Sequence, residues 1–294
     1  MGNETLSLLE EYNKKASTTK WIPLFIAELK EFETTLIPQR RNIRRHSEIV
    51  QFSIPKLIIR SFGKFQVRIG EHNVALSEWK TQTVRDIFFY ILLHPDGVTK
   101  EEIGAAFWPD STMEALRLRF KNSIYRLRHA LGSDSITFID DYYRFNRSLE
   151  YDYDAEEFQQ ELALAQGESA IDDKILHYRL AVNSYRGAYL PKLDYAWVAV
   201  QREQYHRLFM DGIKDLINLL IESKQYQTAI HFAERAMAED PCYEEAYRLA
   251  MTAFFALGDR AAVSRQYEKC RVTLKKELDI DPAPQTEDLY KKLM

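Results

Sequence analysis

Cysteine is nearly absent from this chain. Two residues in 294, Cys242 and Cys270, cannot build a disulfide framework, so free thiols are expected. No apolar run is long enough to cross a bilayer. The opening residues, Met1 to Thr5, lack the basic and apolar stretches of a secretory leader. These absences predict a soluble, cytoplasmic protein with no membrane partner. The seven histidines are scattered, and no His-x-x-x-His or Cys-x-x-Cys pair of the kind that holds zinc is present. A Gly-x-Ser-x-Gly elbow is missing. So is a Walker-type Gly-Lys-Ser/Thr, because Gly63-Lys64 runs into Phe65 with no glycine frame. The acid pairs Asp172-Asp173 and Glu244-Glu245 read as solvated helix surface. No catalytic residue, metal site or cofactor is expected, and the chain does not read as an enzyme.

Charge is present but uneven. The net charge of −4 argues on its own against nucleic acid. Residues 56–150, however, carry 14 basic and 12 acidic side chains, whereas residues 151–294 carry 18 and 25. A mildly basic middle beside an acidic C-terminal half suits a DNA reader joined to a protein-binding or regulatory module.

Residues 1–50 have helical spacing, with Leu8, Leu9 and Tyr12 in one stretch and Trp21, Phe25, Ile26 and Leu29 in another. Pro38 breaks the pattern, and Arg40, Arg41, Arg44 and Arg45 follow as a basic linker. A grip on a phosphate-bearing ligand is the less favoured reading of those arginines. The segment is too small to fold alone and is expected to be the tail of a larger upstream regulatory region.

The period then changes. Leu57 to Gly63 and Phe65 to Gly70 are rich in β-branched and aromatic residues and read as short antiparallel strands, with Val74-Ala75-Leu76 as one more. Three helices are predicted next. The first, Thr83 to Leu93, is strongly apolar. Thr99 to Glu102 forms a capping box for the second, with Val98 and Ile103 at staple positions. Ser111 to Glu114 reads as a capping box for the third, and Gly132 closes it. Ile136 to Ile139 and Tyr142 to Phe145 flank Asp140-Asp141 as a hairpin. Trp79 and Trp108 are expected in packing rather than in contacts.

The third helix is the most informative stretch. From Leu116 to Leu131 it holds five Lys or Arg residues and no acid. Leu116, Phe120, Ile124, Leu127 and Leu131 form a buried stripe at helical spacing. Leu118, Asn122, Tyr125 and His129 fall opposite. Arg119 and Arg126 flank that face on one edge, and Arg117, Lys121 and Arg128 on the other. This arrangement suits a helix in the major groove, with central side chains on base edges and flanking cations on phosphates. Asn122 matches adenine, Arg126 matches guanine, and Leu118 suits a thymine methyl. Lys80 and Thr81, ahead of the first helix, are placed for a phosphate near its N-terminus. Arg144 and Arg147 on the hairpin are weaker candidates, because Asp140 and Asp141 at its tip repel phosphate.

From about residue 151 the pattern is helical throughout. Ala229 and Ala236 precede Asp240-Pro241, and a second unit begins 34 residues later with Tyr247, Phe254, Gly258 and Tyr267 at matching places. Val263 and Cys270 stand where that repeat usually has alanine. Asp281 to Pro284 ends the second unit.

With these residues in place, 56–147 resembles the winged helix of response-regulator (OmpR/PhoB-like) type, chiefly through Ser123 to Gly132. Residues 151–294 are similar to the bacterial transcriptional activation domain. The motifs are Tyr185 to Leu190, Leu193 to Trp197, Ala229 to Pro241, Gln266 to Lys269 and Leu278 to Pro282. Together they resemble the SARP family of bacterial activators. The resemblance implies an α+β, then all-α chain: a winged helix-turn-helix with an N-terminal β-sheet, followed by a helical, tetratricopeptide-like (TPR-like) domain. It also implies an activator that binds direct repeats of double-stranded DNA as side-by-side dimers and contacts RNA polymerase. One departure stands out: Tyr142 occupies the glycine position of the family's hairpin motif, so a differently shaped wing is expected. The alternative function is a TPR-like interaction scaffold or signal-sensing adaptor whose winged helix binds protein.

Overall fold

The computed structural model describes residues 57–294, together with Ile26. Apart from Ile26, which is helical and buried, the expected N-terminal helical segment and the Arg40 to Arg45 linker lie outside the described residues. The chain forms two compact units. One takes the strand residues up to Ile59 and then Gln66–Asp152, and the other takes Arg60–Phe65 and Tyr153–Met294. The single span 56–147 read from the sequence is therefore interrupted, since Arg60–Phe65 packs in the second unit.

β1 (Leu57–Arg60), β2 (Gln66–Ile69), β3 (His72–Asn73) and β6 (Tyr151–Tyr153) form one sheet in the order β3-β2-β1-β6, and all of it except Arg60 and Tyr153 falls in the first unit. β2 and β3 are antiparallel, with Arg68 opposite Asn73. The expected strand over Val74-Ala75-Leu76 is corrected. The Val74 N–H still bonds Val67 O, but Leu76 opens a short helix, α1 (Leu76–Trp79).

α2 (Gln82–Leu93) is buried on most of its circumference, through Val84, Ile87, Phe88, Phe89, Ile91 and Leu92. Its Phe88 ring sits 5.6 Å from Trp79 and 5.8 Å from Phe145, which makes α2 the centre of this core. α3 (Lys100–Phe107) starts at the expected capping box: the Glu102 carboxylate accepts from Thr99 N–H at 2.7 Å, and Thr99 Oγ1 accepts from Glu102 N–H at 3.2 Å. α4 (Met113–Leu131) is capped by Thr112, whose Oγ1 accepts from Ala115 N–H, and not by Ser111. Ser111 Oγ instead accepts from Arg119 at 3.1 Å. Gly104 lets α3 meet α4 closely, because a Cβ there would lie 2.7 Å from Leu116 Cδ1.

β4 (Ile136–Ile139) and β5 (Tyr142–Phe145) pair antiparallel, and Val98 bridges Tyr143 on the far side of β5. The two turn residues, Asp140 and Asp141, both have positive φ, as a tight primed turn requires. Tyr142 does not, so the hairpin closes without a glycine at that position.

The second unit contains α5 (Asp154–Gly167), α6 (Ile171–Ser184), α7 (Ala196–Glu222), α8 (Tyr226–Glu239), α9 (Glu244–Ala256), α10 (Arg260–Leu278) and α11 (Pro284–Leu293). Each of α8, α9 and α10 packs on the helix before it. Ala229 and Ala236 on α8 and their 34-residue counterparts Val263 and Cys270 on α10 are all fully buried. The two departures from alanine thus fill equivalent interior positions. At the other end of this unit Phe62 packs its ring against Phe158, Tyr185 and Tyr205, and Tyr185 stacks on Phe209 at 4.2 Å.

Asp154 ties this aromatic cluster together. Its carboxylate accepts from Ser61 N–H at 2.8 Å, Ser61 Oγ at 2.7 Å and Phe62 N–H at 3.1 Å. Burial pushes the Asp154 carboxyl up, against the downward pull of those donors. Gly63 has φ +70°, and a Cβ there would sit 2.5 Å from the Arg186 carbonyl oxygen. The acid pair at Glu244 also differs from expectation. Glu244 accepts from Ala283 N–H and from the buried Thr286 hydroxyl, so it secures the start of α11 instead of facing solvent freely.

Candidate nucleic-acid interface

α4 buries Leu116, Phe120, Ile124, Leu127 and Leu131, the full stripe read from the sequence. Its opposite face is exposed, and two large side chains there have no packing reason to be so open: Leu118 is 63% exposed and Tyr125 70%. Asn122, Arg126 and His129 are exposed beside them, as are Arg117, Arg119 and Lys121. Among the described residues the side chains of Arg117, Lys121, Asn122 and Arg126 have no hydrogen-bond or ion-pair partner, so their donors face solvent.

The other candidates divide differently. Arg128 is half-buried and donates through Nε and Nη2 to Ile136 O, at 3.2 and 2.9 Å, which ties the end of α4 to β4. Arg144 donates to Asp96 O at 2.7 Å and lies over the Tyr142 ring. Arg147 donates to Leu92 O at 3.0 Å. Arg119 holds Ser111. The Thr81 hydroxyl accepts from Val84 N–H as the cap of α2, which leaves its O–H proton available to a further acceptor. Lys80 is exposed, at a backbone position with φ 66°. Trp79 is buried core, as expected.

Sequence reading missed one side chain here. Glu78, on α1, lines a recess of about 380 Å³ together with Lys80, Tyr125, Arg126 and His129. Its only sequence signal is a glutamate three residues after Ala75, at the third position of a four-residue helix. The hairpin presents a different chemistry from α4: Phe138, Ile139 and Tyr142 are exposed around the two aspartates.

Among the described residues, no group of three or more His, Cys, Asp or Glu side chains is placed to hold a metal ion. Nor, among those residues, is any helix long and apolar enough to cross a membrane.

Residues 153–294 match the family described as bacterial transcriptional activator domain. The activator-domain match starts one residue before Asp154 and takes in α5 to α11, but not Arg60–Phe65 of the same unit. Among solved structures the chain is similar to Mycobacterium tuberculosis EmbR in complex with a low-affinity phosphopeptide, with 19% identity and a TM-score of 0.62. That similarity covers 81% of this chain and 65% of the other, so this chain spans less than two thirds of that protein's length. No curated protein sequence matches the chain.

Proposed function

We propose that this protein is a sequence-specific, double-stranded-DNA-binding transcriptional regulator, with α4 as the recognition helix. The observation that carries the reading is the exposed face of α4. Leu118 and Tyr125 stand open to solvent, beside Arg117, Lys121 and Arg126, whose side chains bond nothing else among the described residues. Phosphate contacts from Arg117, Arg119 and Lys121 would set the register, with Lys80 and the Thr81 hydroxyl at the start of α2. Base contacts from Leu118, Asn122, Tyr125 and Arg126 would carry specificity. The activator-domain match supports regulation of transcription, and the family resemblance supports activation from direct repeats, side-by-side dimers and contact with RNA polymerase. The β4–β5 hairpin is the wing of this reading. No catalytic role and no cofactor form part of it.

Selection of bound duplexes from a random pool tests the proposal. A pair of direct repeats is the expected product. On that site Arg126→Ala should weaken binding by about 1–3 kcal/mol and relax sequence preference at one position. Unchanged footprints for both Arg126→Ala and Asn122→Ala would remove α4 from the reading. The alternative, a scaffold whose winged unit binds protein, is favoured by one observation: the apolar hairpin tip with its two aspartates. Salt separates the two. A DNA reader loses affinity log-linearly, at about 0.9 per phosphate contacted, whereas an apolar protein contact does not.

A further inference from the structure

From Leu116 to Leu131 the proposed DNA face holds no acid, yet α1 places Glu78 in the wall of the recess beside Arg126 and Lys80. Glu78 is also fixed in place. Its carboxylate accepts from Ala75 N–H at 2.8 Å and is within 2.9 and 3.0 Å of His72 Nε2. The Ala75 N–H first, and then His72, hold the Glu78 carboxyl below its ordinary range, so it is charged at neutral pH. A phosphate drawn toward Lys80 or Arg126 therefore meets a negative group that cannot swing away without losing these bonds.

We infer that Glu78 is a negative determinant of DNA affinity, a fixed carboxylate that weakens attachment to phosphate and so widens the gap between the target site and other DNA. The inference rests on the DNA-reading proposal above. Its logic is electrostatic. Binding to random DNA is almost wholly a phosphate interaction, so there Arg126 and Lys80 can only draw phosphate in beside Glu78. On the target site Arg126 is spent on a base edge instead, which leaves one phosphate contact fewer beside Glu78. A carboxylate in the recess thus penalises the unregistered complex more than the registered one.

The test compares the full chain with Glu78→Gln and Glu78→Ala on the selected site and on a scrambled duplex, by fluorescence anisotropy at low and high salt. Both variants remove the charge, and glutamine keeps an acceptor for Ala75 N–H. Binding to the scrambled duplex should tighten roughly two- to fivefold at low salt, the scale of an exposed charge interaction. The gain should fade at high salt as screening shortens the range of the charge. The selected site should gain less, so the specificity ratio falls. Unchanged or weaker binding to the scrambled duplex, or an equal gain on both duplexes, overturns the role of Glu78 while leaving the DNA reading intact. A wild-type chain that binds neither duplex overturns both. Should Glu78→Ala fail to fold, the glutamine variant alone decides.

Discussion

Arg126 and Arg128 lie two residues apart on α4, carry the same charge, and should respond to alanine in opposite ways. Arg128 makes two hydrogen bonds to one carbonyl, Ile136 O, at 3.2 and 2.9 Å. A hydrogen bond from a charged donor contributes about 1.5–3 kcal/mol when sheltered. Arg128 is only half-buried, so the lower end applies, and Arg128→Ala should cost ~1–2 kcal/mol in the seating of β4 on α4. Arg126 bonds nothing else among the described residues, and its removal should alter stability by no more than about 0.5 kcal/mol. Amide hydrogen exchange reads the difference directly. In Arg128→Ala, protected amides of β4 and β5 should exchange roughly five- to thirtyfold faster, the equivalent of 1–2 kcal/mol, with α2 amides less affected. DNA binding gives the converse. Arg126→Ala should relax sequence preference at one position, whereas Arg128→Ala should leave both that preference and the salt slope unchanged. Unchanged hairpin exchange in Arg128→Ala, together with a lost unit of salt slope, would refute the argument and make Arg128 a phosphate contact.

Other outcomes follow from the second unit. Gly63→Ala adds a Cβ 2.5 Å from a backbone oxygen at φ +70°, where no side chain can yield. It should destabilise that unit by about 3 kcal/mol or more, measured by urea unfolding. Asp154→Ala strands three buried donors of Ser61 and Phe62 and should cost ~3–5 kcal/mol, whereas Asp154→Asn, which keeps an acceptor, should cost less. Burial pushes the Cys270 thiol up to about 12. In the unfolded chain it ionises near its ordinary value of about 8.5, so stability should hold below that pH and decline as pH rises toward 12. Native-state thiol titration at pH 8 should accordingly find Cys270 unreactive, and rapid labelling would contradict its burial.

The sequence was most legible where one short-range pattern decides the outcome. The α4 stripe repeats every three or four residues, and burial follows it residue for residue. Thr99 and Glu102 needed only each other, and the capping box formed. Ser111 and Thr112 are equally able to cap, and what separates them is Arg119, which takes the Ser111 hydroxyl eight residues away. α1 is four residues long, too short for periodicity to register, so no local pattern marks Glu78. Arg128 looked like its neighbours because nothing local reveals that Ile136 O would lie within reach. The role of Glu244 is hidden for the same reason, its partners Ala283 and Thr286 lying about forty residues on. Ser61 and Phe62 read as strand, but their decisive partner is 93 and 92 residues away at Asp154.

That last separation has a consequence for how the chain is made. Phe62 and Ser61 leave the ribosome more than ninety residues ahead of Asp154, and the aromatic shell of Tyr185, Tyr205 and Phe209 comes later still. The second unit therefore cannot close around its core until a piece synthesised before the first unit's helices is brought back to it. A fragment beginning at the family boundary, Tyr153, would be born without Phe62 and with the Asp154 carboxylate facing an empty place. Supplying Arg60–Phe65 as a short peptide, or grafting it ahead of Tyr153, should restore such a fragment.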